Sequence, residues 1–212
     1  MPRRSASSSR WLSEHFSDPY VKRAQADGWR SRAVFKLDQI QRRDRLIRPG
    51  MTVVDLGAAP GGWSQYASSV LRGQGLVLAL DMLEMPPLAG VSFIQGDFTT
   101  ETALRELLKR LAGRPVDLVL SDLAPNSSGE ASVDQPRAMN LAALAADFAL
   151  SMLAPRGHFL VKVFQGAGFN VYLERLQRSF SSVAVRKPQA SRNRSPELYL
   201  LAQGPRGESG GC

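Results

Sequence analysis

Asp55-Leu56-Gly57-Ala58-Ala59-Pro60-Gly61-Gly62-Trp63 is the stretch that decides the fold. It follows the β-branched run Thr52-Val53-Val54 and precedes an apolar-periodic segment at 63–71, so it reads as the turn from a first strand into a first helix. Outward from it, runs at 76–80, 91–94, 117–120 and 158–161 are short and rich in Leu, Val, Ile or Phe, with helical patterns at 101–112, 136–153 and 169–179 among them. Strands apolar on both faces and separated by helices predict an α/β domain whose mostly parallel sheet is covered on both sides. Runs at 182–186 and 198–202 follow one another without a helix, which predicts an antiparallel closing pair. Upstream, Val34, Leu37 and Ile40 recur at spacings of three and mark a short amphipathic helix over 31–43. We expect a basic N-terminal arm at 1–30, one domain at 31–204 and a flexible tail at 205–212.

The loop itself is chemically selective. Its glycines are not spaced as G-x-G-x-x-G, Pro60 lacks the N–H a pyrophosphate cradle would use, and no Gly-Lys-Ser/Thr follows. Asp55 ends the strand as an acceptor for an amino group, while Gly57 and Gly61 permit close backbone approach. Gly62 and Trp63 can present N–H groups to a carboxylate. Such a site suits an amino-acid end, as in S-adenosylmethionine. Asp81 closes the second strand, where an acid can hold ribose hydroxyls, and Asp97 follows the third in Gly96-Asp97-Phe98, where a carboxylate can accept from an adenine amino group. Either acid alone could merely cap a helix. Acids ending successive strands at one sheet edge point to a ligand.

Composition narrows the class. The 212 residues carry net charge +8 with 43% hydrophobic residues, enough chain for one enzyme-sized core. The single cysteine, Cys212, allows no intrachain disulfide, and with only His15 and His158 besides there is no structural zinc set, so no metal is expected. The N-terminus has no apolar leader and no run is long enough to span a membrane, which predicts a cytoplasmic protein. Charge is segregated: 12 basic against 5 acidic residues over 1–48, 8 against 12 over 49–174, and 7 against 2 over 175–212. Basic ends around an acidic middle suggest an anionic polymer gripped at the ends, although a single basic cluster is more often just a solvated face.

Two further charged groups sit at the ligand edge. Asp122 follows the fourth strand in Ser121-Asp122-Leu-Ala-Pro125-Asn126, and Lys162 lies inside the apolar run Leu160-Val-Lys162-Val-Phe164, an expensive place for an unpaired charge. Lys36 on the N-terminal helix and Glu197 opening the last strand are weaker candidates, each readable as an ordinary surface or strand-end residue.

These stretches, with Ser31-Arg-Ala-Val-Phe-Lys36-Leu, Val161-Lys162-Val-Phe-Gln-Gly and Arg192-Asn-Arg-Ser-Pro-Glu197, resemble in order and spacing the FtsJ-like large-subunit ribosomal RNA 2′-O-methyltransferases, the RlmE type of bacteria. The likeness runs from about Ser9 to Gly204. It implies a Rossmann-like S-adenosylmethionine-dependent methyltransferase fold with a seven-stranded sheet and an antiparallel closing strand. The Lys-Asp-Lys-Glu tetrad of that family falls on Lys36, Asp122, Lys162 and Glu197. Contacts to S-adenosylmethionine fall on Gly61, Trp63, Asp81, Asp97 and Asp122, beside Asp55, Gly57 and Gly62 from the loop reading.

Methyl transfer to a ribose hydroxyl is an in-line displacement, so alignment supplies much of the acceleration. Lys162 could take the hydroxyl proton or act as an orienting cation; residue identities leave both roles open. The basic ends, with Lys22, Arg23, Arg30 and Arg32 at one side and Arg192 and Arg194 at the other, are expected to hold RNA phosphates. The resemblance implies a uridine in the A-loop of 23S ribosomal RNA within the large ribosomal subunit, a role in ribosome biogenesis, and a monomer. A transfer-RNA or cap methyltransferase, a nicotinamide dehydrogenase and a non-enzymatic RNA-binding factor are the rivals.

Overall fold

The structure, a computed structural model, describes residues 18–125, 128–192 and 195–206. Strands β1 (Thr52–Leu56), β2 (Leu76–Asp81), β3 (Val91–Gln95), β4 (Val116–Ser121), β5 (Leu153–Phe164), β6 (Phe180–Arg186) and β7 (Glu197–Pro205) form one seven-stranded sheet in the order β3-β2-β1-β4-β5-β7-β6. The β1–β5 pairs are parallel, and β7 runs antiparallel to both β5 and β6. The closing pair expected from 182–186 and 198–202 is therefore present, with β7 inserted between β5 and β6.

Helices α1 (Pro19–Ala26), α2 (Val34–Asp44), α3 (Gly62–Leu71), α4 (Glu101–Leu111), α5 (Ala131–Met152) and α6 (Phe169–Ser179) accompany the sheet. Alternate strand residues divide between two cores. Val53, Val77, Leu118, Leu120, Leu160 and Tyr199 pack with α2 and α3, whereas Val54, Leu78, Val119, Phe159 and Val161 pack with α4, α5 and α6. The interior strands thus bury both faces, which is why their sequences read as continuous apolar runs, while the edge strands β3 and β6 stay partly exposed. Chain order reverses between β1 and β4, so the crevice beyond their carboxyl ends is the expected ligand position.

Three elements differ from the sequence expectation. Helix α1 lies within the stretch read as an arm: Asp18 caps it by accepting from the Tyr20 N–H at 2.9 Å, Pro19 occupies its first turn, and Ala24 packs with Val34, Phe35 and Ala190. Helix α5 starts five residues before Pro136, so that proline lies inside the helix rather than opening it. Strand β5 starts at Leu153 rather than His158, because Val116 pairs with Leu153 while Leu118 pairs with His158, and the intervening residues bulge out of register.

Candidate functional site

The β1–α3 loop is shaped by backbone that only glycine adopts easily. Gly57 has φ +75° and Gly61 φ +105°; a Cβ on Gly57 would lie 2.7 Å from Leu123 Cδ2, and one on Gly61 2.7 Å from Met85 Sδ. Asp55 is fully buried beneath this loop. Its Oδ2 accepts from Ser64 Oγ at 2.6 Å, and its Oδ1 has no partner among the described residues. Burial pushes the carboxyl up to about 7 against the Ser64 hydrogen bond, and the charges of Asp122 and Asp81 push the same way.

Asp81, at the end of β2, organises its surroundings as well as offering oxygens. Its Oδ2 accepts from Ala59 N–H at 2.9 Å and its Oδ1 from Leu83 N–H at 2.8 Å. Asp97 accepts from the Thr99 N–H and hydroxyl at 2.9 and 2.7 Å and so shapes the turn into α4. The Trp63 indole is buried, donating to the Ala33 carbonyl at 2.8 Å and stacking at a tilt on Tyr199, which leaves the backbone N–H as the group it can offer a ligand. Converging carboxylates would repel a pyrophosphate. An orphaned buried carboxylate oxygen below a glycine loop fits a cationic amino group, so the residues present suit the amino-acid end of S-adenosylmethionine.

Next to this crevice the structure brings Lys36, Asp122, Lys162 and Glu197 together as two ion pairs. Lys36 on α2 reaches both carboxylate oxygens of Glu197 at 2.8 Å. Lys162 on β5 donates to the Asp122 carbonyl at 2.6 Å and pairs with its carboxylate at 3.1 Å. Between the pairs stands Tyr199, wholly buried, whose hydroxyl donates to Asp122 Oδ1 at 3.0 Å and whose ring lies 5.7 Å from Lys36 Nζ. Burial opposes ionisation of Asp122, but Lys162, Lys36 and the hydrogen bonds from Lys162 and Tyr199 outweigh it and hold the carboxyl below its ordinary value. Burial and the neighbouring charges of Asp122 and Glu197 raise the Tyr199 phenol far above its usual range, so it remains a donor.

Sequence reasoning missed Tyr199 because a tyrosine in an apolar strand is commonplace. The available signal was its place two residues after Glu197, hence on the same face of β7. It also missed the supports of Glu197: Ser191 Oγ donates to Oε1 at 2.9 Å, and Lys187 Nζ donates to the carbonyls of Ser195 and Glu197 at 2.6 and 2.5 Å.

The basic residues divide. Lys22 and Arg23 are exposed on α1, with Arg23 pairing to Asp27 at 3.3 Å. Arg30 instead donates to the carbonyls of Pro60, Pro86 and Pro87, tying the glycine loop to the β2–β3 connection. Arg32 pairs with Asp18 at 3.0 Å and donates to the Ala190 carbonyl. Arg192 is partly exposed, and Arg194 lies outside the described residues. Among the described residues no helix is long and apolar enough to cross a membrane.

Residues 29–205 match the family model described as FtsJ-like methyltransferase. A Stenotrophomonas maltophilia protein named ribosomal RNA large subunit methyltransferase E is 59% identical over 206 residues, covering 97% of this chain and 98% of its own. A relative of the same name from Xanthomonas euvesicatoria is 58% identical over the same shares. Among solved structures, one described as a ribosomal RNA methyltransferase from Plasmodium falciparum superposes with TM-score 0.77 at 25% identity, covering 84% of this chain and all of its own. A Clostridium thermocellum structure shares the fold at TM-score 0.52 and 18% identity, over 80% of this chain and 97% of its own.

Proposed function

The chain belongs to the FtsJ-like methyltransferase family, and from that premise we propose that it transfers a methyl group from S-adenosylmethionine to a uridine ribose 2′-hydroxyl in the A-loop of 23S ribosomal RNA, on the large ribosomal subunit. The observation that carries the reading is the pair of ion pairs, Lys36–Glu197 and Lys162–Asp122, packed around Tyr199 beside the glycine loop. The large-subunit ribosomal RNA named for the relatives supports the substrate class.

In this reading Asp55, Gly61 and the Gly62 and Trp63 backbone hold the amino-acid end of the cofactor, Gly57 lets it approach, and Asp81 and Asp97 hold its nucleoside. The cofactor, when bound, supplies an electrophilic methyl on a sulfonium. Asp122 stands between the cofactor crevice and Lys162 and can serve both. Two of the three Lys162 N–H groups are engaged by Asp122, and the third is left for the acceptor oxygen. This arrangement suits an orienting cation: it aims the hydroxyl oxygen along the line of displacement and stabilises charge developing on it. The hydroxyl proton, made acidic as the new O–C bond forms, passes to solvent. Lys36, fixed by both oxygens of Glu197, adds positive potential where the RNA backbone arrives.

The test is transfer of labelled methyl to isolated large subunits that lack the modification, followed by mapping of the labelled nucleotide. One 2′-O-methyluridine is expected; label on a base, or none in ribosomal RNA, overturns the proposal. Lys162→Ala should keep donor affinity and lose on the order of 100-fold or more in turnover. Asp81→Ala should do the reverse, weakening donor binding about tenfold.

A further inference from the structure

A cavity of about 430 Å³ opens beside the Lys162–Asp122 pair, where the chain leaving β4, the start of α5 and the ends of β5 and β7 meet. Its lining includes Pro125, Gln135, Phe164 and Pro196. Three of these are apolar, and the fourth has a restricted hydrogen-bonding capacity. Both N–H groups of the Gln135 amide are taken by chain carbonyls, Phe164 at 3.1 Å and Ala167 at 3.0 Å, so what its side chain can still offer an occupant is the acceptor oxygen. Phe164 belongs to both places: it lines the cavity, and its ring centroid lies 6.0 Å from Lys162 Nζ.

We propose that this cavity receives the nucleobase of the nucleotide whose ribose is methylated, stacked on Phe164, with Gln135 favouring a base edge that donates an N–H. The inference rests on the ribose-methylation reading above. The covalent structure of a nucleoside then constrains where the base goes. The 2′-oxygen is on the carbon next to the one bearing the base, so a hydroxyl held by Lys162 leaves its base within one ring's reach. The cavity fits that distance, and it is large enough for a pyrimidine.

The lining also has the right character. An unstacked base loses its neighbours' π-faces on leaving the RNA, and an aromatic side chain flanked by prolines restores apolar contact. The base carries no charge; the lining does include the Asp134 carboxylate, but its oxygens accept from the Ser128 N–H and hydroxyl, each at 2.8 Å, and from the Gly129 N–H at 3.3 Å. Uracil presents an imide N–H, a donor that matches the acceptor left on Gln135; the corresponding ring nitrogen of cytosine is itself an acceptor and meets that oxygen unfavourably.

The experiment uses the full chain, unmodified large ribosomal subunits and S-adenosylmethionine, and compares the parent with Phe164→Ala, Phe164→Leu and Phe164→Tyr. Removing the π-face should lower kcat/KM for subunits by roughly 10- to 100-fold, the range expected for one base–aromatic stack. Calorimetric affinity for S-adenosylmethionine should stay within about twofold, and Phe164→Tyr should keep most of the activity. If the alanine variant fails to fold, Phe164→Leu keeps the apolar volume without the π-face and carries the same test. Parent-like activity in Phe164→Leu or Phe164→Ala would overturn the cavity assignment, as would a parallel loss of donor affinity, which would make the ring a support of the cofactor crevice. A parent chain that methylates no ribose in the subunit would instead overturn the function reading, so the two failures are distinguishable.

Discussion

A carboxyl group that is wholly buried and only half partnered is a cost the free protein carries, and Asp55 is such a group. Its folded-state value of about 7 stands above the ordinary 3.8, so between those values the folded state binds the proton more tightly than the unfolded chain does. Stability attributable to Asp55 is therefore complete at acidic pH and is lost as pH rises towards 7. Asp55→Asn removes the charge, so without ligand the melting temperature of the variant should exceed that of the parent by more at pH 8 than at pH 5. Equal differences at the two pH values, read by scanning calorimetry, would contradict the assignment. The same residue shows what sequence makes legible at this scale. Lys162 could be singled out because a charge in an apolar run is costly unless it has a partner or a task, and Asp55 because it ends a strand at the glycine loop. Tyr199 could not, because a phenol in a strand breaks no rule until its hydroxyl is seen on Asp122. Arg30 and Arg32 read as RNA-facing from composition, and the structure adds hydrogen bonds from both to backbone carbonyls, which have no sequence signature.

At the scale of elements, the β1–α3 turn has to pass beneath the loop that follows β4. Gly57 makes this possible: a Cβ there would lie 3.3 Å from the Leu123 backbone and closer still to its side chain, at a φ that L side chains rarely adopt. Gly57→Ala should cost about 1–2 kcal/mol in stability from the left-handed backbone alone. Because the displaced loop begins at Asp122, it should also weaken donor binding, which denaturant titration and calorimetry would measure together; an unchanged midpoint and affinity would show that the two loops move independently. Strands β1 to β4 and helices α3, α4 and α6 were legible to within a residue or two because periodicity and glycine turns agree there. Helix α1 was not, since only Val21 and Ala24 of its eight residues are buried, too few to set a helical period. The bulged start of β5 was not either, because Pro155, Arg156 and Gly157 look like a loop and lie in the irregularity between the Val116–Leu153 and Leu118–His158 pairings.

For the whole molecule, the division of charge has a measurable counterpart. The acidic middle contains Asp55, Asp81, Asp97 and Asp122, and the basic ends contain the exposed Lys22 and Arg23. If the ends hold RNA phosphates, raising salt from about 50 to about 200 mM should lower kcat/KM for large subunits at least tenfold by counterion release. Donor affinity, set by contacts within a shielded crevice, should change less than about twofold over the same range. A salt-independent kcat/KM would show that the basic ends do not grip RNA.

The order of the strands also sets a rule in time. β7 contributes Glu197 and Tyr199, lies between β5 and β6, and follows both of them in sequence. While the polypeptide is being synthesised, β5 and β6 must wait for it, and Lys36 and Asp122 lack the partners it brings. The fold thus acts as its own proofreader: a chain that stops short of Glu197 lacks both Glu197 and Tyr199 and cannot assemble the group of side chains that would act on RNA.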